Sequence, residues 1–562
     1  MLPPIPQPED YHVSPTTGFL PSELPLLCLN DPVYEKWERI VANLQSLILS
    51  KRLRTVIDKL PIIPATHLYT ENEWRRAYTV LIFLAHGYIW GGEKPAERLP
   101  PSITYPLLQV CEHLELPPVA TYAGLCLWNY KPLFAHDGLT LENLSTLITY
   151  TGSLDEQWFY LVSVAIEAKG GSTIPLMLDA VQAARDGDKE IVTENLRTLA
   201  EVLDEIGTLL LRMNESCDPH VFYHRIRPFL AGSKNMKDAG LPHGVFYDDG
   251  DVRTSSWRQY GGGSNAQSSL IQLFDIFLGV EHRPTGSKAS ETSESEAEPG
   301  VAPKPRHNFI HEMRQYMPGP HKRFLQAVEA VSNIREFVEY NQRDRNLTVA
   351  YDACLAMLRA LRDKHIQIVS RYIIVKSREA RSVSRSRGRS GPEPDSAPAP
   401  NRGRGIASVS YKNSDAEQRK KMRGTGGTAL IPFLKQARDE TGEPAIDAWA
   451  RKVLTGARKT AADREVDIES LRVQEDELDG MPGLERVPTI VGLAGSWDME
   501  SEGGGLCYQF YSASDTHSFN YYEHFRFSIH SEHKDQFLSA SHIVLNGPYY
   551  DAKQEHDRGR IT

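Results

Sequence analysis

An all-α fold is what this chain predicts, and three observations predict it. Apolar residues recur at helical spacing, no regular series of short alternating strands interrupts the first 450 residues, and 40% apolar content over 562 residues can bury a large core. Taken in order, the helical period covers 33–50, 71–86, 141–148, 157–168, 174–184, 191–213, 268–280, 321–338 and 348–375. A break at Thr149-Tyr-Thr-Gly-Ser-Leu154 follows the first group of helices and divides 1–150 from the longer helical stretch 151–448.

Composition narrows the function classes. A net charge of −10 makes no whole-chain electrostatic case for nucleic acid or an anionic membrane. The start, Met1-Leu-Pro-Pro-Ile-Pro-Gln-Pro-Glu-Asp10, has neither the basic residues nor the apolar run of a signal peptide, and the most apolar stretch, 78–90, is too short to span a bilayer. Six cysteines, at 28, 111, 126, 217, 354 and 507, show no CxxC spacing. A reduced, cytoplasmic protein with no disulfide framework and no zinc site is expected.

Three segments depart from the helical pattern. Residues 283–306 are rich in Ser, Glu, Pro and Ala, which leaves nothing to bury, so a flexible surface insertion is expected. Residues 376–408 hold the Ser-Arg repeats Ser382-Val-Ser-Arg-Ser-Arg-Gly-Arg-Ser390 and read as a second flexible insertion; an RS-type segment that binds RNA or takes phosphate is the other reading, and a solvated linker the plainer one. Residues 449–562 form a C-terminal extension of mixed periodicity. Its His517, His524, His530, His533 and His542 match no metal-ligand spacing.

The most telling single residue is His365. Cys354, Leu358, Leu361, His365, Ile368 and Tyr372 share one helical face, so the imidazole projects from the buried stripe. A neutral imidazole there needs a partner. Periodicity alone leaves two open: a backbone carbonyl, or a haem iron.

The stretches Pro318-Gly-Pro-His-Lys-Arg-Phe-Leu325, Ile334-Arg-Glu-Phe-Val338, Tyr351-Asp-Ala-Cys354 and His365-Ile-Gln-Ile-Val369 together resemble the haem-binding end of the indoleamine 2,3-dioxygenases. Phe159-Tyr-Leu-Val-Ser163, Phe222-Tyr-His-Arg-Ile-Arg227, Gly262-Gly-Ser-Asn-Ala-Gln-Ser-Ser269 with Phe274-Asp275, and Gly424-Thr-Gly-Gly-Thr428 agree with that family in the same order. The resemblance runs from about residue 10 to about residue 440. It implies a small N-terminal helical domain capping a larger helical haem-binding domain, with haem b, ferrous in the active state, as cofactor. His365 would be the proximal iron ligand, and Asp275 and Arg362 its supporting groups. Without the family, a helix-end salt bridge would account for both.

On the substrate side the resemblance assigns catalytic roles to Ser163, Phe222, Arg227 and Thr425, and substrate contacts to Tyr122, Phe159, Leu230, Gly263, Ser264 and Asn265. Phe159 and Ser163, four apart, share a helix face. Phe222 can stack on an indole, and Arg227 can pair with a carboxylate, although spacing alone would make Arg225 or Arg227 a surface charge. Gly263 and Ser264 would approach the haem edge and the substrate, and Thr425 would close over the amino-acid end from a mobile loop. Ser163 stands where a histidine would suggest a base, so the family pattern implies that no protein base is needed. Two residues depart from mammalian members: Leu125 stands in place of a cysteine and Asn265 in place of a small apolar residue.

The activity so implied is insertion of both atoms of O2 across the indole C2–C3 bond of tryptophan, giving N-formylkynurenine for kynurenine and NAD synthesis. L-tryptophan or a related indoleamine, O2 and an electron donor are the expected partners, and a monomer is expected. The alternative is a haem-binding sensor or low-activity paralogue. A carboxylate clamp at Arg227 and Thr425 separates the two, since a sensor has no need of one.

Overall fold

A computed structural model describes residues 3–284, 308–377, 379, 430–455, 489–492 and 495–498. Most of both insertions, Thr425 and the histidines of the extension lie outside these residues. The chain forms two compact units, Met1–Leu471 and Arg472–Thr562. In the second, the described residues are one hairpin, Thr489–Gly492 paired antiparallel with Gly495–Asp498.

The first unit is helical, as its periodicity predicts. Its main helices are α1 (Glu35–Ala42), α2 (Glu71–Trp90), α3 (Pro101–Leu114), α4 (Leu154–Gly171), α5 (Thr173–Asp186), α6 (Lys189–Leu211), α7 (Ser269–Phe277), α8 (Gly319–Glu329), α9 (Ile334–Tyr340), α10 (Arg345–Val369), α11 (Leu430–Glu440) and α12 (Ala448–Thr455). Side chains start the long ones where the sequence changes. Thr70 and Glu73 form a capping box on α2, Ser153 caps α4, Asp188 caps α6 and Asp344 caps α10, each satisfying amide donors that a helix start leaves bare.

Two apolar cores result. One joins α1–α4 to 213–247 and to Ile368 and Tyr372, and the other joins α5–α10 to Val13 and Phe19. Helix α10 packs along α6 for much of its length and reaches the first core at its C-terminal end, so it runs between the two. Helix α12, placed by its sequence in the C-terminal extension, packs on α10 and α11. One helical stretch, Leu154–Asp186, is long and apolar enough to cross a membrane, but most of its apolar 18-residue window is buried inside the protein, as befits α4 and α5 as core helices.

Two expectations change. Residues 141–148 are not a helix: Leu141–Asn143 make one 3-10 turn and β3 (Leu144–Thr146) pairs antiparallel with β2 (Tyr130–Pro132). The reason is that Asn129 takes both backbone groups of Ile148, at 2.8 and 2.9 Å, and Asn143 clamps Phe134 in the same way at 2.8 Å. The predicted helix 321–338 is two, because Ser332 bonds to Ile276 O (3.0 Å) and Asn333 to Val181 O (3.3 Å) at the break, and both side chains hold the backbone off the helical path. Short strands also occur: β1 (Arg98–Leu99) lies parallel to β4 (Val245–Tyr247), which pairs antiparallel with β5 (Ser256–Arg258).

The N-terminal segment is seated where two backbones nearly touch. A Cβ on Gly171 would lie 2.5 Å from Thr17 C and 2.6 Å from Gly18 N, and Gly18 has φ +64°. Backbone cannot yield as a side-chain end can. Gly171→Ala should therefore destabilise the protein by about 1–3 kcal/mol in denaturant unfolding, with the N-terminal segment released first to limited proteolysis.

Candidate functional site

The site is built where α4, α7, α10 and α11 meet the loop 262–267. Two cavities of about 980 and about 1210 Å³ share Tyr122, Ser163, Leu210, Asn265, Ala266, His365, Phe433 and Leu434, so they form one continuous space with His365 on its wall. The smaller part is also bounded by Asp275, Arg362, Leu358, Leu361, Ile271 and Gln272. The larger is bounded by Phe159, Phe222, Arg227, Leu230, Gly263, Ser264, Leu125, Ile368 and Tyr372.

Every described residue that the sequence singled out borders this space. Phe159 and Ser163 share the inner face of α4. Their neighbours Phe222 and Arg227 sit on a π-helical turn, Phe222–Ile226, and the helix start after it. The Phe159 and Phe222 rings lie 4.9 Å apart, and Phe222 meets Tyr372 edge-on at 5.7 Å. The Arg227 guanidinium lies over the Tyr223 ring at 5.5 Å. Two further π-helical turns, Ala123–Leu127 and Ser370–Val375, contribute to the same wall.

The glycines beside this space are closely packed. Gly262 is pressed on the backbone of 230–232, where a Cβ would meet Leu230 O at 2.0 Å, and Gly232 is equally close to Tyr260 O. A Cβ on Gly263 would meet Leu125 at 2.5 Å. Their observed contact is thus with this chain, and it holds Leu230 beside Ser264 and Asn265.

His365 is deep in the protein, and its accessible surface faces the cavity. No group among the described residues hydrogen-bonds its ring. Burial, with a smaller effect of Arg362, lowers its pKa to about 4, so it is a neutral imidazole. A satisfied core histidine looks different: His86, fully buried, bonds to Phe229 O at 2.7 Å and to the Ala120 amide at 2.9 Å. A neutral nitrogen base with no hydrogen-bond partner among the described residues, beside a largely apolar cavity, fits a ligand to a haem iron.

Behind it runs a buried charge chain. Arg362 grips Asp275 through Nη2 at 2.6 and 2.7 Å, Asp275 meets His282 Nε2 at 3.1 Å, and His282 Nδ1 meets Glu440 at 2.7 Å. Arg362 also bonds to Thr441, and Arg283 pairs with Glu443. Burial alone would raise the Asp275 carboxyl, but Arg362 and His282 hold it below its ordinary value; burial would lower His282, but Asp275 and Glu440 raise it. Sequence reading found Asp275 and Arg362 but missed His282, Glu440 and Thr441. The only signal was a histidine seven residues past Asp275 at the end of an apolar run. It also missed Leu430, Phe433 and Leu434 of α11, because the 376–408 insertion separates α11 from the rest. His321, within the resemblance motif, is away from the cavity, packed edge-on against Phe19 at 5.0 Å.

A family model described as indoleamine 2,3-dioxygenase matches residues 7–444. The chain belongs to the indoleamine 2,3-dioxygenase family. It is 42% identical over 448 residues to the indoleamine 2,3-dioxygenase of Saccharomyces cerevisiae, covering 78% of this chain and 93% of that one. It is 41% identical over 440 residues to the indoleamine 2,3-dioxygenase acdA of Aspergillus candidus (77% and 96%), and 36% over 435 residues to the 6-hydroxytryptophan 2,3-dioxygenase fscD of Fusarium equiseti (77% and 97%). As an indoleamine 2,3-dioxygenase family member this chain is a haem-dependent oxidoreductase whose active state has ferrous haem.

The charge chain of this dioxygenase has a testable sign. His282, raised above its unfolded pKa, adds stability that is full below about pH 6.5 and is lost as pH rises through the folded value. His282→Gln leaves two buried carboxylates facing one another. It should cost about 3 kcal/mol near pH 6 in denaturant unfolding, and less at higher pH where the wild type has itself lost the charge.

Proposed function

We propose that this enzyme opens the indole ring of L-tryptophan or a close indoleamine by inserting both atoms of O2 across C2–C3, giving N-formylkynurenine. One observation carries this reading. Among the described residues bordering the larger cavity, Arg227 is the only ionised group, in a wall otherwise of mostly aromatic and aliphatic side chains with a few uncharged polar ones. Such a space suits a flat apolar body that carries one anion.

In this reading His365 ligates the haem, and Asp275, Arg362 and His282 brace the helices that carry it. Bound ferrous haem supplies the activation of O2, which a closed-shell ring does not undergo alone. Arg227 binds the substrate carboxylate, Phe159 and Phe222 flank the ring, and Tyr122, Leu230, Gly263, Ser264 and Asn265 shape its remaining boundary. Leu430, Phe433 and Leu434 exclude water, and Thr425, a few residues before them, closes over the amino-acid end. The described lining of the larger cavity contains no carboxylate. Ser163 and Tyr122 offer hydroxyls alone. A reductant that keeps haem ferrous, a monomeric state, a cytoplasmic location and a place at the head of kynurenine and NAD formation complete the reading.

Two variants test it. Arg227→Ala should retain haem while kcat/KM for L-tryptophan falls on the order of 100-fold or more, with N-formylkynurenine followed by absorbance; near-normal turnover at low tryptophan would remove the carboxylate clamp. His365→Ala should lose stable haem, read from the Soret band and the ferrous carbon monoxide spectrum. Haem that binds to the wild type without product at any tryptophan concentration would favour a sensor instead.

A further inference from the structure

One buried acid beside the cavity has no part in the functions above. Glu167 lies one helical turn past Ser163 on α4 and is 1% exposed. Its Oε1 accepts from Tyr122 OH at 3.0 Å and from Ser268 Oγ at 2.6 Å, while Oε2 is sealed from solvent with no hydrogen-bond partner among the described residues. Ser268 is also the cap of α7, accepting from the Ile271 amide at 3.3 Å, and Tyr122 N donates to Gln267 Oε1 at 2.9 Å. Thus one carboxyl joins α4, α7 and the 119–127 segment at the point where Tyr122, Ser163 and Ser268 border the cavity.

The arrangement disfavours the charge. An ionised carboxylate with a bare oxygen in the interior is strongly disfavoured, and protonation removes that charge at the smaller cost of a buried O–H with no acceptor among the described residues. The groups that face it are also neutral. From the 119–127 segment these are Tyr122 and Cys126, both pushed up by burial; from α7 it is Ser268, and Ser163 lies one turn before Glu167 on α4. No charged side chain contributes to its field, and burial pushes its pKa up to about 7 against the two hydrogen bonds. Ionisation would put an uncompensated charge behind Tyr122, in the wall of a cavity whose proposed occupant carries a carboxylate.

We propose that Glu167 is a positioning residue whose gain and loss of a proton sets how Tyr122 and Ser163 are held in the cavity wall, and thereby makes substrate affinity pH-dependent. The affinity part rests on the tryptophan reading above. The titration itself does not.

The test uses the full haem-loaded chain, as wild type, Glu167→Gln and Ser268→Ala. Three readouts are followed from about pH 5 to about pH 8.5: KM for L-tryptophan, the C–O stretch of the ferrous carbon monoxide complex, and thermal unfolding. In the wild type KM should rise by roughly three- to tenfold above about pH 7, and the C–O stretch should shift with the same midpoint. Glu167→Gln should hold the low-pH values throughout. Unfolding follows with a fixed sign. The folded state keeps a proton that the unfolded state releases near pH 4.5, so wild-type stability relative to Glu167→Gln should fall between about pH 4.5 and 7 and stay level above. Ser268→Ala, which removes a hydrogen bond that favours the ionised form, should move the wild-type midpoint upward. A Glu167→Gln enzyme with the wild-type profile in all three readouts would overturn the proposal, as would an unmoved midpoint in Ser268→Ala. A stability difference with unchanged KM and C–O profiles would also overturn it, by showing a titration that does not reach the cavity. If L-tryptophan neither binds nor turns over at any pH, the substrate reading fails, and the C–O stretch and unfolding profiles still decide the role of Glu167.

Discussion

The chain of charges from Arg362 through Asp275 and His282 to Glu440 is the constraint on which the site depends. It lies in the interior, where each ion is tolerable only while its neighbours stay in place. Its members come from α7, the turn after it, α10 and α11, so satisfying them fixes the mutual placement of those elements. His365 lies three residues past Arg362, on one of the helices this chain of charges ties together. The imidazole is therefore presented to the cavity by a rigid support that it does not itself stabilise. That leaves its nitrogen available to a ligand.

The cavity wall solves a different problem, which is to keep an aromatic space open without collapse. Backbone pressed on backbone at Gly232 and Gly262 sets the loop 262–267 against the helix that carries Leu230, a separation no residue with a Cβ would allow. The π-helical turns at 123–127, 222–226 and 370–375 add a residue to a turn just where side chains must reach inward, which is a usual place for such turns. Aromatic contacts between Phe159, Phe222 and Tyr372 then brace the wall. In the larger part the described polar groups are few: Arg227, the imidazole of His365, the amide of Asn265 and the hydroxyls of Ser163, Ser264 and Tyr122, with the carboxyl of Glu167 behind them. Each of these is worth more in an apolar, water-poor space than at the surface.

Much of this could be read from the chain. Helical periodicity located the long helices because an amphipathic stripe is a local property, and caps such as Thr70, Ser153, Asp188 and Asp344 mark where it begins. It failed at 141–148, where Asn129, twelve or more residues away, captures the backbone of Ile148, and at 331–333, where Ser332 and Asn333 bond to other elements. The resemblance motifs led to His365, Arg227, Ser163 and their neighbours, and the structure brings all the described ones to one cavity. His282, Glu440 and Phe433 were not legible, because a single polar or aromatic residue next to an insertion has no pattern around it.

The sequence by itself determined the helical class, the buried face from which His365 projects, and membership of the dioxygenase family, since these follow from short-range spacing and ordered motifs. Only the tertiary structure decided that His365 has no hydrogen-bond partner among the described residues, that Arg362 and Asp275 form part of a longer chain closed by His282 and Glu440, and that Glu167 is sealed with one oxygen that no described residue bonds. Those are facts about which distant side chains share a low-dielectric space. Burial and pairing of that kind arise from contacts across the fold, and no local pattern encodes them.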